Sequence, residues 1–259
     1  MITDRIYRFL MPLRTTHRFY TRIVRRLPHR TRIVRHFDQS FFIDPTELSG
    51  FYLYYEQEYD DHVFDFLSSK LASFAWAIDL GANIGLYTAF LARFCNRVDA
   101  FEPDENLVLK LQENLRLNHI NNVKIHAKCI SDTSGVVNFA TSSIANLGTG
   151  KIAQRGISLP SVSLNDFLAE SKQEPLFIKM DIEGAEWLAI QGAKQRLSSW
   201  SAPLSILMEV HPDDIGQYGG SLPELQATLE GIGFDVRSLE SNKLHPVIDS
   251  SRFWWISNE

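Results

Sequence analysis

The sequence predicts an α/β fold, a doubly wound and mainly parallel sheet with helices on both faces. Three observations carry that expectation. Short apolar runs alternate with segments whose apolar residues recur at helical spacing. The run 74–80 ends in a glycine-bearing turn, Gly81-Ala82-Asn83-Ile84-Gly85, and helical periodicity follows at once at Ile84, Leu86, Phe90 and Leu91. The next apolar run closes on an acid, Glu102. With 259 residues, 44% of them apolar, the chain can bury one substantial core.

Residues 1–36 come first and stand apart in charge. They carry ten arginines against a single acid, Asp4, a balance of +9 that leaves −14 on the other 223 residues of a chain of net charge −5. Leu13, Phe19, Tyr20, Ile23, Val24 and Leu27 interleave with Arg14, Arg18, Arg22, Arg25 and Arg26, so a basic amphipathic helix is expected over 13–27, stopped by Pro28. This extension, 1–36, is expected either to make peripheral contact with an anionic membrane surface through residues 5–35 or to pack on its own domain or a partner with its arginines solvated. Residues 37–259 form the second unit.

Within it, the aromatic and acidic stretch 36–60 reads as a packed connection, with a lid or substrate wall as the functional alternative, and 60–73 as a helix feeding the strand 74–80. A strand over 97–102 and a helix over 104–118, with Leu107, Val108, Leu111 and Leu115 on one face, come next. Residues 123–130 read as one strand, 131–135 as a turn and 136–140 as a further strand. The Ser-, Thr- and Gly-rich stretch 141–160 reads as a surface loop. Strand 176–181, helix 184–197, strand 205–210, helix 223–231 and strands near 234–239 and 253–257 complete the chain. In such sheets ligands sit beyond the carboxyl ends of the strands, where the strand order reverses.

Composition narrows the function. An acidic body argues against a nucleic-acid platform, and no nucleic-acid partner is expected. Cys95 and Cys129 have neither a CxxC partner nor ligand spacing with histidine, which suits a reducing compartment. No run of about 18 apolar residues predicts a membrane span, and the N-terminus lacks the apolar core of a secretory signal. The expected location is cytoplasmic, with peripheral contact at the inner membrane surface open to the basic arm.

The turn after the first core strand indicates which ligand it serves. A dinucleotide fingerprint requires G-x-G-x-x-G; here those places hold Gly81, Asn83 and Leu86. Asp79, two residues before Gly81, would repel a diphosphate but suits a ligand bearing an ammonium and a sulfonium. Glu102 can accept from both ribose hydroxyls. The pair, with a loop between them that is unsuited to pyrophosphate, points to S-adenosyl-L-methionine rather than NAD. Glycine lets the backbone approach, and free N–H groups of the helix start are expected to face the ligand.

Three further segments place polar groups at strand ends. Lys179 interrupts an apolar strand, which is costly without a partner; Asp181 ends that strand, Glu183 opens the turn, and Glu186 falls in a first helical turn where it meets the positive helix end. Glu209 and His211 alternate with Met208 and Val210 and are expected on one side of their strand. Ser131 and Asp132 close the strand 123–130 and form either a wall for an adenine ring or an ordinary turn. No zinc-type spacing occurs, so no metal is assigned, and magnesium on carboxylates stays open.

The segments Asp79–Thr88, Phe101-Glu102-Pro103, Ile130-Ser131-Asp132 with Gly135, Ile178–Glu186 and Met208–Pro212 resemble, in order and spacing, FkbM-type methyltransferases. The resemblance covers about residues 50–257, and Lys-x-Asp-x-Glu-Gly-x-Glu is its most specific part. It implies the class I methyltransferase fold, a Rossmann-like seven-stranded sheet ordered 3-2-1-4-5-7-6 with strand seven antiparallel. It also implies methyl transfer from S-adenosyl-L-methionine to oxygen, on a sugar, glycolipid or related small-molecule hydroxyl. Asp79, Gly81, Ala82, Asn83, Gly85, Thr88, Glu102, Pro103, Ser131, Asp132 and Asp181 are then the expected cofactor residues. Gly81 to Gly85 would approach the methionine end, Glu102 the ribose, and Ser131 and Asp132 the adenine. Asp181 or His211 is the expected base, Glu183 and Glu209 position the acceptor or an ion, and Lys179 lowers the carboxylates' proton affinity. A membrane-recruited cofactor-binding protein without turnover is the alternative.

Overall fold

The computed structural model describes residues 31–45, 47–57, 59–141, 150–247 and 252–258. The expected helix 13–27 lies outside the described residues. The chain enters as a hairpin of β1 (Arg32–His36) and β2 (Gln39–Ile43), paired antiparallel. The boundary expected after residue 36 therefore falls inside a hairpin, whose second strand is fastened to the body. Asn118 Oδ1 accepts from Ser40 N at 2.8 Å and Asn114 Oδ1 from Phe42 N at 2.7 Å.

The core is an eight-stranded sheet. Its strands in chain order are β3 (Trp76–Leu80), β4 (Arg97–Phe101), β5 (Val123–His126), β10 (Leu176–Met180), β11 (Leu204–Glu209), β12 (Asp235–Glu240), β13 (Lys243–His245) and β14 (Phe253–Ser257). In space they run β13-β12-β14-β11-β10-β3-β4-β5. β14 lies antiparallel between β11 and β12, while β11, β10, β3, β4 and β5 are parallel neighbours. The strand order is the one the resemblance implies, but the count is eight rather than seven: β13 returns from β12 as a hairpin and lengthens the edge.

β3 and β10 are buried along their whole lengths, as strands covered on both faces must be. One face packs Ile78, Leu80, Ile178, Met180, Ile206 and Met208 against Leu164, Ile190, Leu197 and Leu225. The other packs Ala77, Phe177, Leu207 and Trp255 against Val63, Phe64, Leu67 and Phe90. The helix Glu105–Leu117 starts at Asp104, whose side chain accepts from Asn106 N at 2.8 Å, and buries Leu107, Leu111, Asn114 and Leu115.

Three expectations are corrected. The single strand 123–130 is two: β5 ends at His126, and β6 (Cys129–Ser131) leaves for a second, four-stranded sheet. His126 ends β5 because its ring is committed in place, stacked on Phe101 at 4.5 Å and held to Asp99 Oδ1 at 2.7 Å. The stretch 141–160 holds no single loop: β8 (Lys151–Ile152) and most of β9 (Ile157–Ser163) lie there, with β9 between β6 and β7 (Gly135–Ala140). Serines and Pro160, which lacks an N–H, hid a central strand. Helix 184–197 is two helices, Glu186–Gln191 and Lys194–Ser198. It breaks where Gly192 crosses the chain at Ser131 and Asp132, so closely that a Cβ there would stand 2.6 Å from Asp132 Cα. Among the described residues no helix is long and apolar enough to cross a membrane.

Candidate functional site

The carboxyl ends of β3, β4 and β10 open onto a cleft of about 650 Å³ that runs from Cys129, Ile130 and Phe139 past Glu102 and Pro103 to Asp181 and Glu183. A recess of about 300 Å³ continues it between Tyr59, Ala82, Ile84, Tyr87 and Lys179, sharing Gly81, Asn83 and Asp181.

The turn after β3 is held by its neighbours. Gly81 N and Ala82 N both donate to Phe101 O, at 3.0 and 2.9 Å, and Gly85 N donates to Ala82 O. Asn83 N donates to Glu102 Oε2 at 2.8 Å, and Asp104 N to Glu102 Oε1 at 2.9 Å. The N–H groups expected to face a ligand at Gly81, Ala82, Asn83 and Gly85 are thus engaged inside the protein. What the loop offers instead is close backbone and the Asn83 side chain, whose Oδ1 is buried without a hydrogen-bond partner among the described residues. Gly81 has φ +81° and sits so close to β10's end that a Cβ would come within 1.9 Å of Asp181 O. Gly81→Ala is expected to cost about 3 kcal/mol or more, from left-handed strain plus the clash; urea unfolding measures it. Gly85, also left-handed at φ +93°, serves packing: a Cβ there would strike Leu111 at 2.4 Å.

Asp79 and Thr88 lie beneath the loop, not in the cleft. Both are fully buried, and Thr88 Oγ1 donates to Asp79 Oδ2 at 2.5 Å. Lys179, its register neighbour in the sheet, reaches Asp79 Oδ1 at 3.8 Å. The same ammonium donates to Asp181 Oδ2 at 3.4 Å and to Gly81 O at 3.3 Å, and stands 4.9 Å over the Tyr87 ring. Burial pulls the Lys179 pKa down, but Asp181, Asp79 and Glu209 outweigh it and hold it above the usual range. Lys179 is therefore a buried cation fixing two acids and the loop carbonyl, the partnering its position required.

Glu102 is buried in the floor of the cleft. Desolvation pushes its pKa up to about 7, against the lowering effect of the Asp104 and Asn83 N–H groups. Ser131 and Asp132 do not line the cleft; Cys129 and Ile130 do, with Lys128. The correction follows from the split of the predicted strand, since Ser131 turns into the second sheet and Asp132 lies beyond it, exposed, accepting from Ser131 Oγ at 3.0 Å.

Glu209 and His211 part company. β11 ends at Glu209, so alternation does not carry through to His211. Glu209 Oε1 accepts from Arg252 Nε at 2.7 Å. His211 turns to Glu186, its Nδ1 3.0 Å from Oε1, with Nε2 3.7 Å from Asp181 Oδ1 and 3.8 Å from Glu183 Oε2. Burial lowers the His211 pKa, but the bond to Glu186 and the charges of Glu186, Asp181 and Glu183 prevail and raise it to about 9. Glu183 is pushed up to about 7 by burial and then by Asp181, with His211 opposing. Burial and Asp181 likewise take Glu209 to about 7 against Arg252. Glu183 itself adopts φ +55°, a left-handed backbone uncommon outside glycine.

From the sequence, Glu186 had only a helix-end role and Arg252 had none. Glu186 does sit at a helix start, yet it is buried and accepts from Ile182 N and Gly184 N as well as facing His211. Its spacing from Asp181 and Glu183 was the available signal. Arg252, far along the chain, gave none.

The cleft fits the ligand expected from the turn. Phe101, Leu107, Ile130 and Phe139 offer an apolar slot for a base, Glu102 an acceptor for a diol, and the Asn83 Oδ1 an unfilled acceptor for an ammonium. Asp181 and Glu183 would face a sulfonium.

The methyltransferase FkbM domain matches residues 79–236, from the buried acid of β3 to the second residue of β12. A hexuronic acid methyltransferase, AglP of Haloferax volcanii, is 30% identical over 135 residues, 51% of this chain and 54% of that protein. The chain thus matches about half the length of this curated relative. Among solved structures, the FkbM methyltransferase of Methylobacillus flagellatus is similar at TM-score 0.45 and 20% identity, over 71% of this chain and 44% of that one. A TehB-like S-adenosylmethionine-dependent methyltransferase of Corynebacterium glutamicum is similar at TM-score 0.46 and 12% identity, over 81% and 92%. With more than half of its length matched by the domain, the chain belongs to the FkbM methyltransferase family.

Proposed function

We propose that the protein transfers a methyl group from S-adenosyl-L-methionine to a hydroxyl oxygen of a sugar or sugar-bearing acceptor. The observation that carries this is the meeting of Asp181 and Glu183, at one end of the cleft, with His211 behind them. S-adenosyl-L-methionine, when bound, supplies an electrophilic methyl on a sulfonium. The chain's own residues do the rest. Glu102 takes the ribose hydroxyls and Asn83 the amino-acid end. Asp181, shared by cleft and recess, would face the acceptor oxygen beside the donated methyl. Alignment of the two supplies much of the acceleration.

An alcohol oxygen attacks well only as its proton leaves. Asp181 is the group placed to take it, with Glu183 positioning the acceptor and His211, held protonated by its acids, beside them as a cationic partner. Glu209, bound by Arg252, sets the field around Asp181. A C–O bond would form as the C–S bond breaks with its electron pair on sulfur, and the proton would pass to Asp181. The sugar acceptor is drawn from the relative that is named for hexuronic acid.

The test is transfer of radiolabelled methyl to hexose and hexuronic acid acceptors, followed by mild alkali. A labelled product that survives alkali is an ether and supports hydroxyl methylation. Label released by alkali would mark a carboxylate ester and overturn the choice of oxygen. Binding of S-adenosylhomocysteine without transfer to any acceptor of the panel would favour a binding protein without turnover.

A further inference from the structure

We infer that Asp181, Glu183 and His211 form a binding site for one divalent cation. One donor atom from each lies within 4.8 Å of the others. His211 Nε2 is 3.7 Å from Asp181 Oδ1 and 3.8 Å from Glu183 Oε2. Those gaps are too long for hydrogen bonds. They match the roughly 3–4 Å that separates ligand atoms each held about 2.0–2.3 Å from a shared ion. The three side chains are 26%, 23% and 19% exposed, open enough for an ion to enter but screened from bulk water.

An independent observation lies on the far side of the imidazole. Nδ1 faces Oε1 of Glu186, whose side chain is 1% exposed and is set in place by the Ile182 and Gly184 N–H groups. A buried carboxylate there favours the proton on Nδ1 and aims Nε2 at the two acids, so that an ion taking the place of the Nε2 proton would be met by all three side chains. This carboxylate–histidine order is how metal-ligating imidazoles are oriented. The other oxygen, Glu186 Oε2, is buried with no hydrogen-bond partner among the described residues. One imidazole nitrogen and two carboxylate oxygens suit Mn²⁺ or Zn²⁺ better than a thiolate-seeking ion. In the reading proposed above, on which only the ion's role depends, the cation would hold and acidify the acceptor hydroxyl beside Asp181.

The test uses Mn²⁺ with the full chain, read by loss of the free-ion electron paramagnetic resonance signal. Saturable binding of one ion per chain is expected. His211→Ala and Glu183→Gln should each weaken it at least about tenfold, and so should Glu186→Gln, which leaves all three donors and removes only the charge behind the ring. Asp213→Asn, an exposed acid nearby, should leave it unchanged. Uptake that rises without saturating, that survives both donor variants, or that falls equally in Asp213→Asn would overturn the proposal. Calorimetry with S-adenosylhomocysteine on the same samples separates the two readings. Donor binding without Mn²⁺ sinks the cation site alone; Mn²⁺ binding without the donor sinks the methyl-donor reading alone.

Discussion

Asp181→Asn is expected to lower methyl transfer by about 10²- to 10⁴-fold, the range that one positioned proton acceptor contributes, while S-adenosylhomocysteine binds within a few-fold of the parent. The substitution keeps shape and removes charge. Asp181 N donates to Leu80 O at 3.0 Å, so the backbone at the end of β10 is anchored independently of the side chain. Its carboxylate meets Lys179 at 3.4 Å and His211 at 3.7 Å; an amide weakens both interactions and cannot take an acceptor's proton at neutral pH. Lys179 keeps Asp79 as a partner, which protects the fold. Radiolabel turnover and calorimetry, run on one preparation, separate the two effects. Full turnover in the variant would reject the assignment.

Glu102→Ala is expected to weaken donor binding by about 2–4 kcal/mol, or roughly 30- to 1000-fold, through loss of two hydrogen bonds to a charged acceptor. The side chain also ties the two strand ends together through Asn83 N and Asp104 N, so Glu102→Gln, which keeps the volume, is the companion variant. A pH dependence accompanies the affinity. Burial holds Glu102 at about 7 in the ligand-free protein, and the ribose hydroxyls call for its ionised form. Donor affinity should therefore rise about tenfold from pH 6 to pH 8, because the ionised fraction grows from about one tenth to nine tenths. Glu102→Gln should flatten that rise. An unchanged slope in the variant would move the titration to another group.

Much of the donor cleft was legible in the chain because strand, turn and acid are local features. The apolar run before Gly81, the left-handed glycine and the acid closing β4 all lie within residues 74–102, and each follows from backbone geometry that sequence spacing reports. The local rules misled where a contact elsewhere overrode them. Gly85 reads as a ligand-side glycine but is needed by Leu111; Thr88 reads as a cleft residue but is needed by Asp79. Ser131 and Asp132 read as the end of a main-sheet strand, whereas pairing with Ser161–Ser163 draws β6 into the other sheet.

By itself the sequence determined the α/β class, the order in which the core elements arrive and the chemical types at the strand ends, because periodicity and turn chemistry act over a few residues. Tertiary structure alone decided which of those groups face one another. Glu209 went to Arg252, 43 residues on, and His211 to Glu186, 25 residues back. Hydrogen bonds and charges act across space, and only packing of the sheet sets those distances.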